Sequence, residues 1–254
     1  MHPKEPLISV IIPTLNEEKY IRILLNSINR QQIKNLEILI VDAGSKDKTV
    51  SIAQKYGAKT FVYTGYGEFI SRNIGAKKAK GKYLLFTCAD IIFPEGLFEK
   101  IIKKFQENRK LIALTGPGYP YDASLLGKIE YTAYNIIRYI FAKFPKPLKR
   151  LSTSTNFLVV QKELFERTEG FIVDDINADG LMGRKLLNMG YVAFFPDTYF
   201  YLSARRMKNM GFLNFNRHYL YTIENFFFNL SNTRLLRTIK YRSKEKHRKM
   251  HDNE

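Results

Sequence analysis

The chain has 254 residues, 45% of them hydrophobic, which suits one large domain, or a domain with an appendage, around a substantial core. A formal charge of +17 favours an anionic partner: nucleic acid, an anionic membrane surface or a phosphorylated substrate. The one cysteine, Cys88, excludes an intramolecular disulfide; the N-terminal apolar run is too short for a signal peptide, and no segment reaches the roughly 18 uncharged apolar residues of a spanning helix, so the expectation is a cytoplasmic chain that can touch a membrane peripherally without crossing it.

The first hundred residues alternate strand-like and helix-like patterns. "LISVIIP" (7–13) is a continuous apolar run, as in a strand covered on both faces. In "NEEKYIRILLNSINRQ" the residues Tyr20, Ile21, Leu24, Leu25 and Ile28 recur at helical spacing. "LEILIVDAG" (36–44) predicts a second strand, and "SKDKTVSIAQKYG" (45–57) a helix capped at Ser45 and stopped at Gly57. "AKTFVYT" (58–64) predicts a third strand and "SRNIGAKKAKG" (71–81) a short helix. "KYLLFTCAD" (82–90) predicts a fourth strand, "EGLFEKIIKKFQEN" (95–108) a helix, and "LIALTGPG" (111–118) another strand. This rhythm predicts an α/β fold with a doubly wound, mostly parallel sheet and helices on both faces. Ligands of such sheets bind beyond the carboxyl ends of the strands. Thr14 and Glu17, then Asp42, Gly44 and Ser45, then Asp90 stand at those ends, on one predicted rim.

The second half differs. Leu125, Ile129, Ala133, Ile136, Ile137, Ile140 and Phe144 form one helical stripe over 125–144, with Lys128, Arg138 and Lys143 among them. "STNFLVVQKELF" (154–165) predicts a strand running into a helix, and "DDINADGLMGRKLLNMG" (174–190) an acidic loop followed by a helix. "YVAFFPD" (191–197) predicts a strand. Residues 211–230 are aromatic and helix-like, and 234–250 carry eight Lys or Arg and one Glu.

The motifs "VIIPTLNEE" (10–18), "IVDAGSKDKT" (40–49), "SRNIGAKKAKGKYLLFTCAD" (71–90) and "NADGLMGRKLLNMG" (177–190) resemble, in order and spacing, those of the family 2 glycosyltransferases of GT-A fold. The resemblance covers most of residues 7–206. It implies a GT-A domain over 1–206, with a nucleotide-binding half (1–118) and an acceptor half (119–206), followed by C-terminal amphipathic helices and a basic tail (207–254). It also implies inverting transfer from a UDP- or GDP-linked sugar. The rival sugar-phosphate nucleotidylyltransferases would show a Gly-rich loop where this chain has "PTLNEE".

On the same resemblance, Pro13, Thr14, Glu17 and Asp42 meet the base and ribose, and Gly44 lets the backbone approach the ligand closely. Asp90, Arg72 of "SRN", and Arg205 and Arg206 of "SARR" belong to the diphosphate side; Ser45, Asn73 and Ala89 also line the nucleotide-sugar site. Asp90 matches the last Asp of the family's Asp-X-Asp motif and is the expected ligand of Mg²⁺ or Mn²⁺, hard cations suited to oxygen. Cys88 stands where relatives carry Asp, and Ile92 cannot ligate, so metal affinity without donor should be weak. Asp179 matches the catalytic base, with helix N-cap as its plain structural role; Asp174 and Asp175 are weaker candidates, and Ala178 stands where relatives commonly carry Glu.

The acceptor is the least legible part. The 125–144 stripe, the aromatic stretch and the basic tail can lie against an anionic membrane or pack on the domain. The first option favours a polyprenyl phosphate or other lipid-linked acceptor over a free glycan. Two other readings are an inactive GT-A scaffold that binds nucleotide sugars, suggested by Cys88, and a nucleic-acid-binding protein, suggested by charge alone. No nucleic-acid motif supports the last, and no nucleic-acid partner is expected.

Overall fold

The computed structural model describes residues 5–33, 35–172, 178–217 and 220. The first half runs β1 (Ile8–Thr14), α1 (Glu18–Asn29), β2 (Leu36–Asp42), α2 (Thr49–Lys55), β3 (Lys59–Val62), α3 (Glu68–Lys78), β4 (Tyr83–Thr87), β5 (Ile91–Ile92), α4 (Leu97–Glu107), β6 (Leu111–Thr115) and β7 (Gly118–Pro120). The second half runs α5 (Leu125–Phe141), α6 (Lys146–Lys149), a 3-10 turn (Arg150–Ser152), β8 (Phe157–Gln161), α7 (Lys162–Glu166), α8 (Ala178–Met189), β9 (Tyr191–Phe194), β10 (Phe200–Leu202) and α9 (Arg205–Met210).

Seven strands form the main sheet in the order β3-β2-β1-β4-β8-β6-β9. Only β8 runs against the rest, antiparallel to both β4 and β6. Alternate residues of each strand enter opposite cores, as a pleated sheet covered on both faces requires. Val10, Ile12, Leu85 and Val159 pack with α1 and α4 on one face. Ile11, Leu84, Phe86 and Val160 pack with α3 and α8 on the other. From β1 the chain adds β2 and β3 on one side, then returns to lay β4 on the other. The β1/β4 boundary is therefore the topological switch point, where a crevice opens beyond the strand ends.

Several boundaries differ from the sequence expectations. The helix expected over 45–57 starts at Thr49, because the Ser45 hydroxyl is taken by Asp42 and caps nothing; Asp47 accepts from the Thr49 N–H instead. The helix expected from residue 71 begins at Glu68, after Gly67. The strand expected over 111–118 ends at Thr115, and Gly118–Pro120 joins a small second sheet, ordered β5-β10-β7. Asp179 lies inside the first turn of α8 rather than at its cap. Asp174 and Asp175, most of the aromatic stretch, and the basic tail lie outside the described residues; of that stretch, residues 212–217 are helical.

Helix α5 answers the question its stripe raised. Its buried residues are Gly127, Tyr131, Asn135 and Arg138. Asn135 Nδ2 donates to the Gly118 carbonyl at 2.8 Å, and Arg138 Nη2 to the Ser152 carbonyl at 2.8 Å. Gly127 admits the Met207 sulfur, which an added Cβ would meet at 3.1 Å. The apolar stripe faces outward: Leu125 is 75% exposed, Ile129 56%, Ile136 54% and Ile140 48%. Among the described residues, no helix is long and apolar enough to cross a membrane.

Candidate active site

Parallel pairing of β1 with β2 sets Thr14 opposite Asp42, so their side chains leave the sheet together. Thr14 Oγ1 donates to Asp42 Oδ2 at 2.7 Å and Ser45 Oγ to the same oxygen at 2.6 Å. The N–H groups of Gly44 and Ser45 donate to Oδ1 at 3.0 and 2.7 Å. Asp42 is fully buried, and these four bonds occupy its carboxylate. It shapes the turn; a direct bond to a base edge would require one of the two hydroxyls to turn away. Gly44 sits at φ 101°, and a Cβ there would press on Thr64 at 3.1 Å, so the turn demands glycine. Asn16, at φ 53°, joins the two loops: its N–H donates to Ser45 Oγ, and its Oδ1 accepts from the Lys46 N–H. Pro13 lies half-buried one residue before Thr14.

Across the switch point, Glu17 follows β1 and Asp90 follows β4. One guanidinium links them. Arg205 donates from Nη1 and Nη2 to the two Glu17 oxygens, each at 2.7 Å, and its Nε lies 2.9 Å from Asp90 Oδ2. Its plane rests on the Tyr20 ring, 4.6 Å from the centroid. Burial works against the charge of Arg205, but Asp90 and Glu17 overcome it and hold its pKa above the ordinary arginine value. The Arg205 backbone is placed by Asp122, which accepts from the Ala204 N–H at 2.6 Å and from the Ser203 hydroxyl at 3.0 Å. Ser203 N–H in turn donates to the Asp90 carbonyl at 3.0 Å. Arg206, on the same turn, is exposed.

Beneath this rim lies a second polar cluster. Arg72 is completely buried, donating from Nη1 to the Thr155 carbonyl at 2.6 Å and from Nη2 to Glu68 and, at 3.4 Å, to the Cys88 sulfur. It is a strut under the rim rather than a side chain open to phosphate. Asp179 accepts from the Thr155 hydroxyl and, at 3.3 Å, from its N–H. Burial pushes the Asp179 carboxyl above its usual range, opposed by the Arg72 charge and the Thr155 hydroxyl. Burial also pushes the Cys88 thiol up, and nearby Glu68 adds to it. Asn73 spends both ends of its amide on Phe171, accepting from its N–H at 2.9 Å and donating to its carbonyl at 2.8 Å. Ala89 faces the core beside α1. Glu68, Asp122 and Thr155 are parts of this site that the sequence reading missed. None stands in a recognisable motif, and each is tied to residues that only the fold brings near.

The donor set limits how a divalent cation can bind. Among the described residues, no group of three His, Cys, Asp or Glu could hold a metal. Cys88 is kept a thiol, a poor ligand for a hard cation, and both Glu17 oxygens lie on Arg205. Asp90 remains as one hard oxygen donor. That set fits a cation that takes most of its ligands from a bound diphosphate and water, and not a preformed protein cage.

Comparison with known proteins bears on the family and the fold. An uncharacterized glycosyltransferase of Rickettsia prowazekii is 37% identical over 116 residues, covering 44% of this chain and 36% of that protein. The poly(ribitol-phosphate) beta-N-acetylglucosaminyltransferase TarS of Staphylococcus aureus is 39% identical over 90 residues, 32% of this chain and 16% of TarS. The matched stretch thus spans about a third or less of these curated relatives' length. Among solved structures, the mannosyltransferase PcManGT of Pyrobaculum calidifontis, in complex with GDP-Man and Mn2+, superposes with a TM-score of 0.62 at 22% identity, covering 78% of this chain and 57% of that one. S. aureus TarS 1-349 in complex with UDP-GlcNAc gives a TM-score of 0.61 at 22% identity, over 77% and 58%. These likenesses show a shared GT-A fold. The sequence profile of Glycosyl transferase family 2 matches residues 9–175, and the chain belongs to that family.

Proposed function

We propose that the protein transfers a hexose from a UDP- or GDP-linked sugar to an acceptor hydroxyl or phosphate, with inversion, on the cytoplasmic side of a membrane. One observation carries this reading: Glu17 and Asp90, on the two sides of the β1/β4 switch point, converge on Arg205. Residues 1–118 hold the donor on this reading, and 119–206 shape the acceptor side. Pro13, Thr14, Gly44 and Ser45 border the base and ribose, with Asp42 fixing the turn. Asp90 would hold the cation, Mg²⁺ or Mn²⁺, which when bound would supply stabilisation of negative charge on the leaving diphosphate. Arg205, always charged, and Arg206 face the same negative group.

The acceptor oxygen attacks the anomeric carbon as its bond to the diphosphate breaks. The bonding electrons leave with the nucleoside diphosphate, and a single displacement inverts the centre. A hydroxyl acceptor must give up a proton, and Asp179 takes it. The raised pKa of Asp179 suits a base, since it narrows the gap to the proton it accepts. A phosphate acceptor, already ionised at neutral pH, needs no such base.

Thermal unfolding measured with UDP- and GDP-sugars, with Mn²⁺ and with EDTA, tests the proposal. A rise with one nucleotide family that EDTA abolishes, together with release of the nucleoside diphosphate, is expected. No rise with any donor overturns it, and binding without turnover turns the chain into a nucleotide-sugar-binding scaffold.

A further inference from the structure

We infer that the outward face of α5 docks on an anionic lipid bilayer and so brings the Arg205 rim to a lipid-borne acceptor. The face is built rather than incidental. Helical spacing puts Leu125, Ile129, Ile136 and Ile140 on the side opposite Gly127, Tyr131, Asn135 and Arg138, the side the domain holds. Leu126, 67% exposed, and Phe144, 45% exposed, widen the same face. In the helical residues 212–217, Phe215 packs on Tyr131, while Phe212 and Leu213 stay exposed. An apolar surface of this extent marks an interaction site.

Charge selects the partner. Over residues 125–150 the chain has one acidic side chain, Glu130, against Lys128, Lys143, Lys146 and Lys149, with Arg138 and Arg150 buried. Lys128, Lys143 and Lys146 are exposed beside the apolar face. Apolar side chains rimmed by lysines on a helix too short to span match a helix lying in the plane of an anionic membrane. The further chain points the same way, since residues 234–250 add eight basic side chains against one acidic one.

The face is coupled to the site. Asp122, two residues before the α5 cap Ser124, accepts from the Ser203 hydroxyl and the Ala204 N–H just before Arg205. Helix α5 is thereby tied to the segment that lines the rim. The identity of the acceptor rests on the glycosyltransfer reading, but docking does not.

Sedimentation of the full chain with phosphatidylcholine vesicles, and with vesicles also containing phosphatidylglycerol, tests docking without any sugar donor. The wild type should bind the anionic vesicles, less so as salt rises. Combined Ile129→Glu, Ile136→Glu and Ile140→Glu should weaken that binding about tenfold or more. Ile23→Glu, on the exposed side of α1, should leave it unchanged. Circular dichroism and the thermal midpoint confirm that the triple variant is folded. Equal binding by wild type and a folded triple variant overturns the proposal. So does a wild type that ignores vesicles and instead forms a dimer that the triple variant loses.

Discussion

The rim at the β1/β4 switch point and helix α5 handle polarity in opposite ways. At the rim, charge is gathered and paired: Asp42 accepts four bonds, and Arg205 spans two carboxylates. On α5, polar groups are drawn inward to carbonyls and the apolar groups are turned out. Both arrangements obey the same rule that a buried polar group must find a partner. The difference lies in what each leaves facing outward. The rim presents charge to a polar ligand, whereas α5 presents hydrocarbon, which water does not reward.

The largest expected effect breaks the rim. Asp90→Asn removes, among the described residues of the rim, the carboxylate left for a cation, and half of the Arg205 bridge, and should cost about a hundredfold or more in kcat. A variant with near wild-type turnover would remove Asp90 from the mechanism. The next change breaks the contrast on α5 itself. Arg138→Leu deletes a buried cation bound to the Ser152 and Gly116 carbonyls and strands those acceptors, at about 3 kcal/mol of stability. Ile136→Lys, two residues earlier, should change stability by no more than about 0.5 kcal/mol. Urea unfolding of the two variants checks both; equal losses would mean that the outward face is packed in solution.

The smallest effect sharpens the role of Asp179. Rate with a hydroxyl acceptor should fall as pH drops through its raised pKa, because the protonated acid cannot serve as base. The Thr155 hydroxyl favours the ionised form, so Thr155→Val should raise that pKa further and move the acidic limb of kcat/KM to higher pH. A limb that stays in place would separate Asp179 from the proton transfer. A phosphate acceptor should show no limb from Asp179.

The sequence made the alternation of β1 to α4 legible, because strands covered on both faces are continuous apolar runs and the helices between them carry a 3.6-residue period. Thr14, Glu17, Asp42 and Asp90 were legible as rim residues for the same reason: each falls where such a run ends. The small β5-β10-β7 sheet was not, since strands of two or three residues carry no measurable period. Arg72 read as a diphosphate ligand from its place in "SRN", and only Glu68, Thr155 and Cys88 together explain its burial away from the rim. For α5, periodicity identified a stripe but not its direction. That depends on the Gly118 and Ser152 carbonyls, which need the donors of Asn135 and Arg138.

Cys88 has a practical consequence. Its thiol is the only one in the sequence, and burial pushes its pKa up, so slow reaction with alkylating reagents near neutral pH is expected. The chain is therefore close to a cysteine-free background as it stands. A cysteine substituted for Ile136 would be the sole readily labelled position, and a solvent-sensitive dye there would report directly whether that face meets water, protein or lipid.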